Sequence, residues 1–236
     1  MNADTVRFIR SEGVRLLTDL NRELFLNFSG RKIETRITDI YGSRREFLEP
    51  ELYLSYTEPA SGDEEDRARH RLISSFLAGA FLGGKSSGPT DRILALEAGL
   101  QFRAGGRSLT IRSAKAALFS EPKKHKRDEI AIGNPEVLSG LNNLCRRKLG
   151  IMTECSESLG FGSYGELLDA VSGTGIARLA EEAKKFLADT DYIARDMIGW
   201  YFMKKMELPL KDASIYDMTY LFNSAELKGY FTKIDP

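Results

Sequence analysis

The stretch Leu159-Gly160-Phe161-Gly162-Ser163-Tyr164 lies between two runs of helical periodicity and indicates how this part of the chain folds. Its glycines allow a turn after the first helix has ended. Ser163 and Glu166 have the spacing of a capping box, in which each side chain accepts a hydrogen bond from a free backbone N–H at the helix start. The stretch therefore predicts a helix end, a glycine turn and the capped start of a second helix.

Helical periodicity extends in both directions from this junction. The preceding helix is predicted to begin at Asn134-Pro135, because Asn caps a helix well and Pro at the first helical position loses no needed donor. A long helix is predicted from about Ile176 to Met206. Other helical segments are predicted at about residues 5–28, 35–54, 66–82, 91–98 and 214–220, with a loop and helix over 114–132.

One β-hairpin is predicted at about residues 99–112. Apolar and polar residues alternate on both sides of Gly105-Gly106, and a glycine pair between two alternating runs is typical of a hairpin turn. The predicted fold is therefore mainly α, a multi-helix bundle with one small antiparallel hairpin. An acidic, turn-rich connector at 57–66 divides it into an N-terminal helical hairpin (1–56) and a helical domain carrying the β-hairpin (66–236), which are expected to pack as one unit.

The composition favours a cytoplasmic protein. Lys and Arg together number 34, as do Asp and Glu, so no global field favours nucleic acid or anionic lipid. No run of about 18 apolar residues and no N-terminal export signal is visible in the sequence, so we expect neither a membrane span nor secretion. The two cysteines, Cys145 and Cys155, are expected to be reduced thiols.

Two short motifs suggest phosphate binding, but their surroundings count against it. Gly79 to Ser86 matches the P-loop expression, yet an amphipathic helix precedes it where a buried strand is required. Gly83-Gly84 is instead predicted to end that helix, and Ser87-Gly88-Pro89 is expected to prevent a regular helix from following. The basic cluster Lys123-Lys124-His125-Lys126-Arg127 contains no aromatic residue and is predicted to be a solvated helix start.

The histidines give no support for a zinc site. A His-Glu-x-x-His helix places two imidazoles around zinc with Glu as the general base. Neither His70 nor His125 begins that motif, so no catalytic, metal-binding or cofactor-binding residue is predicted in this chain.

The long helix carries a series of apolar and aromatic residues: Phe186, Tyr192, Ile193, Met197, Trp200, Tyr201 and Met203. Helical spacing of this kind favours core packing. The alternative is a peptide-binding face, for which Tyr192, Trp200 and Tyr201 are the candidate residues.

Several segments resemble the N-terminal helical half of M3-type zinc metallopeptidases, the thimet oligopeptidase and oligoendopeptidase F group. The segments are Leu96 to Arg112, Asn142 to Arg147, Leu159 to Tyr164, Phe186 to Thr190, Leu208 to Leu210 and Tyr216-Asp217. In that family the zinc helix and the substrate-binding residues lie further along the chain than Pro236 here. The resemblance therefore implies no catalytic residue in this chain, and zinc only if a catalytic segment follows.

The function predicted from this resemblance is that of a non-catalytic helical lobe forming one wall of a peptide-binding channel. Its partner would be a peptide substrate or a C-terminal catalytic lobe, and neither nucleic acid nor a membrane is expected. The alternative is a free-standing helical protein-interaction module with no peptidase role. A large exposed apolar patch favours the first hypothesis, whereas a polar surface around a closed core favours the second.

Overall fold

The computed structural model describes residues 3–56, 63–133 and 135–222. These residues form eleven α-helices, two short 3₁₀ turns and one two-stranded antiparallel sheet. The prediction of a mainly α fold with one small hairpin is therefore confirmed.

The helices are α1 (Ala3–Phe28), α2 (Ile37–Gly42), α3 (Pro50–Leu54), α4 (Glu64–Lys85), α5 (Ser87–Gly99), α6 (Ile111–Ser120), α7 (Lys124–Ile132), α8 (Pro135–Ser158), α9 (Tyr164–Ser172), α10 (Ile176–Met206) and α11 (Ile215–Leu221). The strands are β1 (Gln101–Ala104) and β2 (Arg107–Thr110), and the 3₁₀ turns are Arg45–Leu48 and Leu210–Asp212.

The chain divides into two compact units. The first contains Met1–Gly99 and Ser139–Leu179, and the second contains Leu100–Leu138 and Ala180–Pro236. The predicted connector at 57–66 falls within the first unit, and residues 57–62 lie outside the described residues. Each unit has its own cluster of buried apolar side chains, the larger one in the first unit.

Gly83 and Gly84 lie inside α4, so the prediction that this pair ends the helix is wrong. A Cβ on Gly84 would collide with the Leu48 side chain and would come within 3.0 Å of the Tyr41 ring. The absence of side chains therefore lets α4 pack closely against α2 and the 3₁₀ turn at Arg45–Leu48. Close packing outweighs the weak helix propensity of glycine at this position.

Pro89 is accommodated in the first turn of α5, which contradicts the prediction that Ser87-Gly88-Pro89 prevents a regular helix from following. Proline is tolerated there because the first N–H groups of a helix have no partner within it. The Ser86 hydroxyl donates to the Leu82 carbonyl at 2.7 Å, and the Ser87 hydroxyl donates to the Gly84 carbonyl at 2.6 Å. The P-loop expression therefore spans the end of one helix and the bend before the next, with no phosphate-binding loop.

The hairpin forms within the predicted residues 99–112. Gln101 pairs with Thr110 and Ala104 pairs with Arg107, on either side of the Gly105-Gly106 turn. Both glycines have positive φ angles, 60° and 76°, which two-residue hairpin turns of this kind require. The strand end leads directly into α6, whose start at Thr110 is capped by the Thr110 and Ser113 side chains.

The junction at Leu159–Tyr164 forms as predicted, with one difference in its hydrogen bonds. Leu159 is buried, Gly160 has φ 88°, and the Ser163 hydroxyl accepts a hydrogen bond from the Glu166 N–H at 3.1 Å. The Glu166 carboxylate accepts a hydrogen bond from the Gly162 N–H at 3.0 Å. In a capping box it would accept from the N–H of the cap residue, Ser163. The predicted reciprocal box is therefore only half formed, because the glycine turn brings the Gly162 N–H into the place of the cap donor.

Candidate functional site

The long helix α10 exposes its apolar residues, so the prediction that they pack into the core is wrong. From Ala180 to Tyr201 every residue is exposed except Thr190, Ile198 and Gly199, which are half-buried. Phe186 exposes 66% of its surface, Met197 56% and Trp200 54%. A helical repeat of apolar residues indicates that one face of the helix is apolar. It does not indicate whether that face is covered by the same chain or by a partner. The described residues do not cover it.

The exposed apolar residues form one continuous face, which we call the α10 face. It consists of the half-buried Thr190, whose hydroxyl donates to the Phe186 carbonyl, and eight exposed residues: Ala183, Phe186, Leu187, Ile193, Ala194, Met197, Trp200 and Tyr201. Phe186, Ile193 and Trp200 recur every seven residues, and each has an apolar or small neighbour three residues before it and one residue after it. At a rise of about 1.5 Å per residue, the face extends for about 27 Å along the helix. Three positions in every seven is the pattern of a helix that packs against other helices.

Trp200 and Tyr201 form an aromatic pair at the C-terminal end of the α10 face. Their ring centroids lie 5.0 Å apart at 81°, an edge-to-face arrangement. The Lys204 ammonium lies 4.3 Å from the centroid of the Trp200 ring. This end of the face therefore offers rigid aromatic surface, the type of side chain that contributes most to binding at protein interfaces.

Tyr192 lies outside the arc of α10 that the α10 face occupies. Nine residues separate it from Tyr201, which at 3.6 residues per turn corresponds to a rotation of about 180°. Tyr192 is exposed and lies about 80° around the helix from Trp200, so it is next to the Trp200 edge of the face and opposite Tyr201. The ring contact pairs Trp200 with Tyr201, and Tyr192 is not part of the α10 face.

An acidic row borders one edge of the α10 face. Glu182, Asp189 and Asp196 recur every seven residues, and each lies four residues before Phe186, Ile193 or Trp200. Glu182 forms an ion pair with Lys185, with 3.8 Å between Oε1 and Nζ. Asp189 and Asp196 have no ion-pair partner within the described parts of the chain. These carboxylates are exposed, so they are available to a cationic partner. The seven-residue spacing of this row is visible in the sequence. It indicates a possible binding edge only when the adjacent apolar face is known to be exposed.

The C-terminal end of α10 is fixed in the second unit. Phe202 is fully buried, and its carbonyl accepts a hydrogen bond from the Leu208 N–H at 3.3 Å. Glu207, the residue after the helix, has φ 50°, in the left-handed region that favours glycine. The α10 face therefore belongs to a helix that is anchored at one end.

The basic cluster at 123–127 has a structural role that the sequence did not reveal. Arg127, predicted to be solvated, is buried and pairs with Asp217. The pKa of Lys124 is raised chiefly by its hydrogen bond to Asp128, and Asp217 adds to this effect. These cations are therefore engaged by carboxylates of the second unit.

The histidines and acidic residues do not assemble a metal centre in the described part of the chain. His70 stacks on the Tyr56 ring at 4.6 Å between ring centroids, and His125 is exposed on α7. Among residues 3–56, 63–133 and 135–222 there is no group of three or more His, Cys, Asp or Glu side chains arranged to hold a metal ion. Cys145 is exposed and Cys155 is buried, and both are free thiols.

A second apolar surface lies in the first unit, between α1 and α4. A groove of ≈ 470 Å³ is lined there by apolar side chains such as Leu17 and Phe76 and by the backbone of Gly13, with Arg10 and Arg69 also contributing. Phe76 fills the space in front of Gly13, where a Cβ would lie 2.8 Å from the ring. This groove can accept an apolar group, but it lacks the regular repeat and the charged row that distinguish the α10 face.

Comparison with protein-family models, with curated proteins and with solved structures gives no match. The resemblance to M3-type metallopeptidases therefore stays a prediction. No helix among the described residues combines the length and the apolar character needed to cross a membrane.

Proposed function

We propose that this chain is a non-catalytic helical lobe that binds polypeptide through the α10 face. The observation that carries the proposal is the exposure of this apolar face along about 27 Å of helix. Monomeric proteins rarely expose contiguous apolar surface of this kind unless it meets a partner. The proposal agrees with the hypothesis that the chain resembles the N-terminal half of an M3-type peptidase, in which such a face would form one wall of a peptide-binding channel.

The role proposed for this chain is binding, with any hydrolysis left to another lobe. The sequence contains no His-Glu-x-x-His motif. We therefore expect the purified chain to leave a quenched fluorogenic peptide intact with or without added zinc. Zinc-dependent cleavage by this chain would contradict the non-catalytic part of the proposal.

The alternative of a free-standing interaction module predicts a polar surface around a closed core. Each unit does contain its own buried apolar cluster, as such a module requires. The exposed apolar residues on α10 count against a closed surface and favour a lobe that is completed by a partner. The first experiment therefore tests whether the α10 face binds polypeptide.

The test compares two matched double variants of the full chain. Phe186→Ser with Met197→Ser removes an aromatic residue and a methionine from the α10 face. Tyr192→Ser with Met203→Ser removes the same two kinds of side chain from the other side of the same helix. All four side chains are exposed, so we expect both variants to fold as the wild type does.

The probe is a labelled synthetic amphipathic helical peptide roughly three heptads long, titrated with each protein by fluorescence anisotropy. We expect the variant of the α10 face to bind about tenfold or more weakly than the wild type, and the control variant to bind equally well. Equal binding by the two variants, or failure of the wild type to bind, would overturn the proposal.

A further inference from the structure

We infer that the partner of the α10 face is an amphipathic helix whose apolar stripe is bordered by lysine or arginine. This inference rests on the proposed function, because it names the kind of polypeptide that the same face would bind. Two features of α10 support it: the seven-residue repeat of the apolar face and the acidic row beside it.

The seven-residue repeat points to a helical partner. Phe186, Ile193 and Trp200 form a row along α10, with Thr190 and Met197 between them. Side chains in such rows interdigitate with those of a second helix crossing at about 20°. An extended peptide has no comparable fit, because the backbone groups of α10 are already paired within the helix and cannot satisfy those of the peptide.

The acidic row points to a basic edge on that partner. Glu182, Asp189 and Asp196 follow the same seven-residue repeat, so a helix packed along the α10 face passes beside all three carboxylates. A partner with lysine or arginine at the matching positions would form charge pairs with them, as residues flanking the apolar seam of a coiled coil do. A partner with acidic residues there would be repelled.

The same row disfavours a second copy of this chain as the occupant. In an antiparallel pair of α10 helices, the acidic row of one copy would lie against the acidic row of the other. In a parallel pair, the row would lie against Leu187, Ala194 and Tyr201, where the carboxylates would lose water without gaining a cation. A chemically different helix avoids both costs.

The experiment uses three synthetic peptides with the same apolar heptad positions and different flanking residues. One has lysine along the edge, one has glutamine and one has glutamate. Each is titrated into the full-length wild type and into two triple variants. The first triple variant reverses the charge of the acidic row through Glu182→Lys, Asp189→Lys and Asp196→Lys. The control variant carries Glu34→Lys, Glu46→Lys and Glu154→Lys, which make the same change in net charge at exposed positions of the first unit.

We expect the wild type and the control variant to bind the lysine-edged peptide roughly tenfold more tightly than the glutamate-edged one. The variant with the reversed row should prefer the glutamate-edged peptide, and added salt should reduce the preference of each protein. The inference would be overturned if the variant with the reversed row still preferred the lysine-edged peptide. It would also be overturned if the control variant came to prefer the glutamate-edged peptide.

Other outcomes separate this inference from the proposed function. Equal binding of all three peptides would overturn the basic-edged partner and leave the polypeptide-binding function intact. Binding of none of them would overturn both. If sedimentation showed that the wild type is a dimer and that the Phe186→Ser, Met197→Ser variant is a monomer, the α10 face would be assigned to a second copy of this chain. Partition of the chain onto phosphatidylcholine and phosphatidylglycerol vesicles, lost in that same double variant, would assign it to a membrane surface; either result would overturn the helical partner.

Discussion

Arg127 and Asp217, ninety residues apart in the sequence, form a buried ion pair in the second unit. The Arg127 Nε and Nη2 donate to Asp217 Oδ1 at 2.9 Å and 2.7 Å, and Nη1 donates to the carbonyls of Glu121 and Pro122, both at 2.8 Å. The second carboxylate oxygen of Asp217 accepts from the Ser214 N–H at 2.8 Å and from Lys124 Nζ at 3.2 Å. The pair therefore joins α7 to α11 with its hydrogen-bonding groups satisfied.

Asp217→Asn is expected to lower the free energy of unfolding by about 3–5 kcal/mol, because Arg127 would remain buried without its counter-charge. Urea denaturation monitored by circular dichroism measures the change. Asp191→Asn is the matched control, since Asp191 pairs with Arg195 at 2.7 Å while both side chains are exposed. That variant should lose less than about 0.5 kcal/mol. Equal losses in the two variants would contradict the structural role of the buried pair.

The contribution of Asp217 is expected to disappear in acid. Burial alone would raise the pKa of Asp217, but hydrogen bonds from the Ser214 N–H, Arg127, the Ser214 hydroxyl and Lys124 outweigh it and lower this pKa. A lowered pKa in the folded state stabilises the protein above the unfolded pKa of about 4 and loses that effect as the pH falls further. The stability difference between wild type and Asp217→Asn should therefore be constant near neutral pH and shrink below about pH 4. Urea titrations across this range check the prediction, and a difference that does not change with pH would contradict it.

Gly84→Ala is expected to destabilise the first unit by about 1–3 kcal/mol, because the new methyl group would overlap with Leu48 and crowd Tyr41. Gly79→Ala provides the control in the same helix, since nothing lies within 4 Å of its Cβ position. That substitution should stabilise the protein by about 0.5–1 kcal/mol through helix propensity alone. Thermal denaturation of the two variants should move in opposite directions. A gain in stability for both would show that α4 does not approach its neighbours this closely.

Glu207→Gly is expected to stabilise the end of α10 by about 1 kcal/mol, because glycine adopts the φ of 50° found there without the strain of a side chain. Glu207→Ala separates this backbone effect from any role of the carboxylate, since alanine retains the strain. Denaturant midpoints should rise for the glycine variant and stay near the wild-type value for the alanine variant. An equal rise for both would attribute the effect to the lost side chain.

The features that could be predicted from the sequence are those determined by neighbouring residues. Gly105-Gly106 predicted the hairpin because both turn positions need positive φ. Ser163 predicted the start of α9 because its hydroxyl accepts from the Glu166 N–H, only three residues further along the chain. The extent of α10 was also predicted correctly, from about Ile176 to Met206. In each case the interactions that select the structure lie within a few residues of one another.

The features that were missed depend on residues far apart in the sequence. Gly84 was assigned to a helix end because glycine usually breaks helices, and only the approach of Leu48 explains its place inside α4. Arg127 looked like one of several solvated cations until Asp217 came beside it in the fold. For the candidate site, the sequence identified Trp200 and Tyr201 as possible binding residues but favoured burial, because a hydrophobic pattern does not reveal what covers it.

Trp200 allows the most direct measurement of polypeptide binding at the α10 face, because it is the only tryptophan in the chain and is 54% exposed on that face. We expect its fluorescence emission to shift to shorter wavelength and to saturate when the tryptophan-free, lysine-edged amphipathic peptide is titrated into the full chain, since a packed helix would exclude water from the indole ring. The shift should require a peptide concentration about tenfold or more higher in the Phe186→Ser, Met197→Ser variant, in line with its weaker binding. A Trp200 emission maximum that stays unchanged while the peptide binds elsewhere, or while no peptide binds at all, would contradict the central claim.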